Sequence, residues 1–86
     1  MSVSAFVLID VTGDHTKSAY KTITRMDGVK AVYAVTGSHD LIVHIESESI
    51  ESLSELVLSK IRSIDGVTKT LTSIVLSITS PGSPSP

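Results

Sequence analysis

From Ser4 to Val11 apolar side chains fill nearly every position, with Ala5, Val7, Ile9 and Val11 on one face and Phe6 and Leu8 on the other. That period of two marks a β-strand with both faces covered. Thr12-Gly13-Asp14 is a turn, and Asp14 or Thr16 is placed to cap a helix over about 15–26, whose apolar stripe is Ala19, Ile23 and Met26. Asp27-Gly28 stops that helix, because glycine accepts the left-handed conformation at a helix C-terminus. A second strand is expected over Val29–Thr36, a tight connection over Gly37–Asp40, and a third strand over Leu41–Glu46, again apolar on both faces. Ser47 or Ser49 caps a second helix from Ile50 to Ile64 with Ile50, Leu53, Val57, Ile61 and Ile64 inward, and Asp65-Gly66 ends it. Val67–Thr79 reads as the fourth strand.

The order is strand–helix–strand twice over, and Met26-Asp27-Gly28-Val29 returns as Ile64-Asp65-Gly66-Val67, so the chain is a short internal duplication. Right-handed crossovers turn this order into an α+β fold: a four-stranded antiparallel sheet with both helices on one face and the strands ordered fourth, first, third, second. The two most apolar strands fall in the centre. Lys30 and the hydroxyls Thr68, Thr70, Thr72, Ser73, Ser77 and Thr79 fall on the edges. The helices cover one face. The other still carries apolar side chains and is expected to be an interaction surface, most simply for a second copy of the same sheet. Residues 1–79 are therefore read as one domain. Residues 80–86, which hold all three prolines, are read as a disordered tail.

Composition narrows the options. With 86 residues and no cysteine, the chain has no disulfide or thiolate–metal staple, and self-association is the expected extra source of stability. Aromatic residues are only 3% of the chain, so the core must be aliphatic. A formal net charge of −2 argues against direct nucleic-acid binding. No apolar run reaches the ~20 residues that cross a bilayer, and a cytoplasmic location is the expectation.

Candidate chemistry is sparse. His39 and His44 would point to opposite faces if His39 opened the third strand, which leaves no metal site. No serine sits in a Gly-x-Ser-x-Gly elbow. Glu46, Glu48, Glu51 and Glu55 gather at the start of the second helix and suit its dipole, while Lys17, Lys21 and Arg25 read as the wet stripe of the first. Val35-Thr36-Gly37-Ser38-His39-Asp40-Leu41 says more. Two readings are open. In one it is a hairpin turn with Gly37 at positive φ and Ser38 and Asp40 bonded to local backbone. In the other, Gly37 lets a ligand carboxylate approach backbone N–H groups and Asp40 accepts an ammonium group.

The succession Ala5-Phe6-Val7-Leu8-Ile9, Met26-Asp27-Gly28-Val29, Val35-Thr36-Gly37-Ser38-His39-Asp40-Leu41 and Gly66-Val67-Thr68-Lys69-Thr70-Leu71-Thr72-Ser73-Ile74-Val75-Leu76 resembles the ligand-binding domain of the Lrp/AsnC transcriptional regulators, also called RAM, over about residues 4–79. The resemblance implies a ferredoxin-like βαββαβ fold, dimers made by sheet packing, rings of dimers, and an amino-acid effector held between dimers. Carried over by position, the effector site would draw on Gly37 and Asp40, with Thr70, Thr72 and Ser73 from the fourth strand. No cofactor is implied. The first strand begins within a few residues of Met1, where the regulators carry a helix-turn-helix, so the expectation is a stand-alone sensor domain that co-assembles with full-length regulators. A small dimeric α+β-barrel enzyme of monooxygenase type shares the topology and is the competing reading.

Overall fold

A computed structural model describes residues 2–76. Strand β1 (Val3–Val11) leads through a single 3-10 turn at Gly13–His15 into helix α1 (Thr16–Thr24). Strands β2 (Val29–Ala34) and β3 (Leu41–Ser47) follow, then helix α2 (Ile50–Glu55), which runs on as a π-helical turn over Leu56–Ile61, and strand β4 (Val67–Ile74). The sheet order is β2-β3-β1-β4, all antiparallel, the ferredoxin-like arrangement that the alternation of elements dictates.

The odd-numbered residues of β1 and β3 build the core. Ala5, Val7 and Ile9 pair with Ile45, Val43 and Leu41, and all six are buried completely. From above they meet Ala19 and Ile23 of α1 and Leu53, Leu56, Val57 and Ile61 of the second helix. Complete burial of one such aliphatic side chain contributes about 1.5–3 kcal/mol. An entirely aliphatic interlayer is therefore enough to fix two helices on one face.

Several local expectations shift. Neither Asp14 nor Thr16 caps α1: the 3-10 turn takes up its start, and the Thr16 hydroxyl instead donates to the Gly13 carbonyl at 3.4 Å. Ser49 does cap α2, its hydroxyl accepting from the Ser52 N–H at 3.0 Å. The second helix ends at Ile61 rather than Ile64. The Arg62 N–H donates to Val57 O across the wide turn, and Ile64 closes a turn onto Ile61 O. The wider π turn brings Leu56 into the core beside Val57. Ile50, expected inward, is the first residue of α2 and stays exposed at the helix start. Strand β2 stops at Ala34 instead of Thr36, because Gly37 with φ +113° swings the chain away. Pairing in β4 ends at Ile74, with the Val75 N–H still donating to Ser4 O at 2.8 Å. The last residues expected in that strand, the domain limit at 79 and the tail at 80–86 lie outside the described residues.

Candidate functional site

The loop after β2 is held by the end of β1. The Val35 N–H donates to Asp40 O at 2.9 Å, closing the loop, and the Asp40 N–H donates to Ile9 O at 3.0 Å. The Asp40 carboxylate then accepts the Val11 N–H on Oδ2 at 2.8 Å. It takes the place of a ladder partner where β3 has run out, which explains an acidic residue just before Leu41. Next to it, His39 Nδ1 lies 2.8 Å from Asp10 Oδ1, with both side chains mostly shielded from water. The β1–β4 register skips one residue here, and the hydroxyl of the skipped Thr68 donates to Asp10 O at 3.2 Å. Chain irregularities of this kind re-aim side chains at the rim of a sheet.

These contacts correct two readings. His39 does not open β3; it sits in the loop and reaches Asp10, which alternates with Phe6 and Leu8 on the face away from the helices, the same face as His44. Among the described residues no group of three or more His, Cys, Asp or Glu could hold a metal. The Asp40 carboxylate also does not bond local backbone, as the turn reading expected, but reaches Val11, 29 positions away. Asp40 occupies the β3 column against β1, so two strand spacings, about 10 Å, separate it from β4.

The sequence-derived site residues fall into separate places. Gly37 and Asp40 share the loop. Thr70 and Thr72 pair with Ile9 and Val7 and so belong to the helix-covered face. Thr72 is exposed there, in a groove of about 230 Å³ with Leu53, Ser54, Val57, Leu58 and Ile74. Ser73 pairs with Phe6 and lies on the opposite, open face. One subunit thus brings the loop pair together and leaves the three β4 hydroxyls apart from it. The Asp10–His39 contact was missed by sequence reasoning; its only signal was a lone acidic residue in an otherwise apolar strand.

The open face is the other functional feature. Phe6 is 40% exposed, Leu71 44% and Tyr33 56%, and Leu8 and Ile42 lie half-buried among them. Across the central strand pair the His44 imidazole stacks on the Phe6 ring, with centroids 4.8 Å apart and planes 17° from parallel. Charges are confined to the ends: Asp10 and His39 at one, and Lys30 with Glu46, 3.9 Å apart, at the other. An apolar centre with a polar rim is the composition of a protein–protein interface.

Strand order and helix placement together define a ferredoxin-like domain with one sheet face uncovered. The family model for the Lrp/AsnC ligand binding domain matches residues 4–84, and the chain belongs to that family. An uncharacterized HTH-type transcriptional regulator from Pyrococcus horikoshii is 28% identical over 76 residues, 88% of this chain and 48% of the regulator, so the chain spans about half the length of the curated relatives it matches. A crystal structure of a protein from Thermus thermophilus superposes with a TM-score of 0.85 at 31% identity, covering 91% of this chain and 98% of that one. A feast or famine regulatory protein from M. tuberculosis, complexed with L-methionine, superposes with a TM-score of 0.73 at 25% identity, over 98% of this chain and 57% of that one. A homocitrate synthase from Sulfolobus acidocaldarius is 34% identical over 62 residues, 72% of this chain and 13% of the enzyme. Among the described residues no helix is long and apolar enough to cross a membrane.

Proposed function

We propose that this chain is an effector-binding and oligomerisation module of the Lrp/AsnC type, which senses an amino acid in the cytoplasm and takes part in transcription regulation through its assembly. The open apolar sheet face, with the Gly37–Asp40 loop anchored at its end, is the observation that carries the reading. Two copies pair through that face, burying Phe6, Leu8, Tyr33, Ile42 and Leu71. The Gly37–Asp40 loop supplies backbone N–H groups for a carboxylate and one free carboxylate oxygen for an ammonium group. Thr70, Thr72 and Ser73 stand about two strand spacings, roughly 10 Å, from the Asp40 column and on two different faces of the sheet, so in this reading a neighbouring subunit supplies their contribution. That requirement links binding to assembly into rings of dimers, with or without full-length regulators as partners. The methionine-bound M. tuberculosis relative supports an amino acid as the effector class.

The competing enzyme reading needs room between sheet and helices for substrate or cofactor. That layer is filled by side chains such as Val7, Ile9, Ile23, Val43 and Ile61, all at 0% exposure. An absorbance spectrum of purified protein tests it, since bound haem or flavin would favour an enzyme.

A thermal-shift screen against the twenty amino acids, with light scattering alongside, tests the leading reading. At a hundredfold excess over Kd a ligand stabilises by about 2.7 kcal/mol. In a domain of this size that raises the melting temperature by roughly 10 °C or more. The expected result is a homo-oligomer and a shift from one or a few amino acids. A stable monomer at micromolar concentration, with no shift from any of them, would refute it.

A further inference from the structure

We propose that His44 makes pairing through the open sheet face sensitive to acid: the dimer forms with this imidazole neutral and loosens as the ring takes up a proton. The inference rests on the sheet-face pairing proposed above.

His44 stands in β3, one of the two central strands, with Phe6 opposite on β1 and Ala31 opposite on β2. Its other neighbours on this face are Ile42 and Glu46 along its own strand, Ser4 and Leu8 on β1, and Tyr33 on β2. Within the subunit, the ionisable groups facing it are therefore Glu46, Tyr33, and Lys30 through its contact with Glu46. Glu46 is already engaged: Lys30 Nζ lies 3.9 Å from Oε1, and the Ser4 hydroxyl donates to Oε2 at 3.4 Å. It is a poor counter-ion for a new charge.

In a free subunit the half-buried imidazole still meets water, and the face of the Phe6 ring attracts a cation. In the pair the same ring is covered. A two-fold interface is self-complementary, so residues near the middle of the patch meet their own copies, and the two His44 rings enter one water-poor region together. Burial without a partner disfavours the charged form, and a second like charge nearby disfavours it further. Proton uptake and pairing therefore oppose each other. The sign follows: pairing is strongest where histidine is neutral and weakens as pH falls through the ordinary histidine range.

One proton taken up per subunit on separation, within the ordinary histidine range, corresponds to a Kd that rises about a hundredfold between pH 7.5 and 5.5. The full chain is examined by analytical ultracentrifugation across that range at constant ionic strength. Wild type is compared with His44→Gln, with His44→Leu as a second neutral variant and with His39→Gln, which removes the other histidine of this face. Far-UV circular dichroism confirms the fold of each. The expected result is a wild-type Kd that weakens steeply in acid, a flat profile for both His44 variants, and a wild-type profile for His39→Gln. A wild-type dimer with a pH-independent Kd overturns the proposal whatever the variants do, as does a His44 variant that keeps the acid response. A monomer at every pH overturns the sheet-face reading itself, and the proposal with it.

Discussion

Asp40 has one carboxylate oxygen committed to structure and one free, and two substitutions separate these roles. Asp40→Ala removes both. The Val11 N–H, held at 2.8 Å in the native chain, then loses its acceptor at a half-buried position. Leaving such a donor unpaired costs about 1–3 kcal/mol; water can reach this rim, which favours the lower half of that range. In a domain of this size each kcal/mol moves the melting temperature by roughly 4–8 °C, so Asp40→Ala should melt about 5–15 °C lower at matched protein concentration. Asp40→Asn retains an acceptor for Val11 and should lose only a few degrees. The two variants should differ little in ligand binding. Both remove the negative charge proposed to face an effector ammonium, a charge-assisted bond of about 1.5–3 kcal/mol, so calorimetric titration should show roughly tenfold to hundredfold weaker affinity in each. An Asp40→Asn protein that binds the best effector with wild-type affinity would reduce Asp40 to a brace for β1. An Asp40→Ala protein that melts with wild type would show instead that the Val11 bond contributes nothing.

Leu8→Asp places a charge on a central strand of the open face and should leave a folded monomer, checked by light scattering and circular dichroism; an unchanged oligomer would move the interface elsewhere. Ile23→Ala removes a fully buried side chain from α1 and should cost about 2–5 kcal/mol in urea unfolding. Gly37 and Gly66 both have positive φ, but a Cβ at Gly37 meets open space whereas one at Gly66 overlaps the His15 side chain. Gly37→Ala should thus cost about 1–2 kcal/mol and Gly66→Ala clearly more in the same assay, and equal costs would contradict that contact. Ser49→Ala should lower stability by about 1 kcal/mol through loss of the α2 cap.

What the sequence made legible was whatever repeats locally. The two-residue alternation in β1 grouped Ala5, Val7, Ile9 and Val11 on one face, the face that is buried, and the paired Asp-Gly stops delimited the helices closely enough to set the strand order. Contacts between distant residues left no such trace. Asp40 with Val11, and His39 with Asp10, each span 29 positions, and nothing in either segment announces the other. The π turn at Leu56–Ile61 was also invisible, since its residues suit an ordinary helix and the choice is made by how Leu56 and Val57 pack on the sheet. Of the candidate residues, the positive φ of Gly37 follows from turn chemistry, but the Asp40 bond to Val11 does not, and which side of the sheet each β4 hydroxyl takes depends on a register that β1 imposes and that skips a residue between Lys69 and Val67.

The position of β1 bears on how the chain comes together over time. The strand that emerges first in synthesis is a central one, and neither of its neighbours is adjacent in sequence: Val3 pairs with Ser47, and Ala5 with Ile74. The Thr12 N–H waits for the Gly66 carbonyl, its partner at 2.8 Å. An isolated first half therefore has an apolar strand with nothing beside it, and each half depends on the other despite their similar logic. Domains dominated by such distant pairings fold more slowly than helical bundles, because long loops must close before any contact rewards them. On a ribosome the chain has to hold Phe6, Val7, Leu8 and Ile9 unpaired until the third strand is out, and the sheet is completed only when β4 follows. During that interval the segment that later anchors the core is the part most exposed to chaperones and to unwanted strand partners.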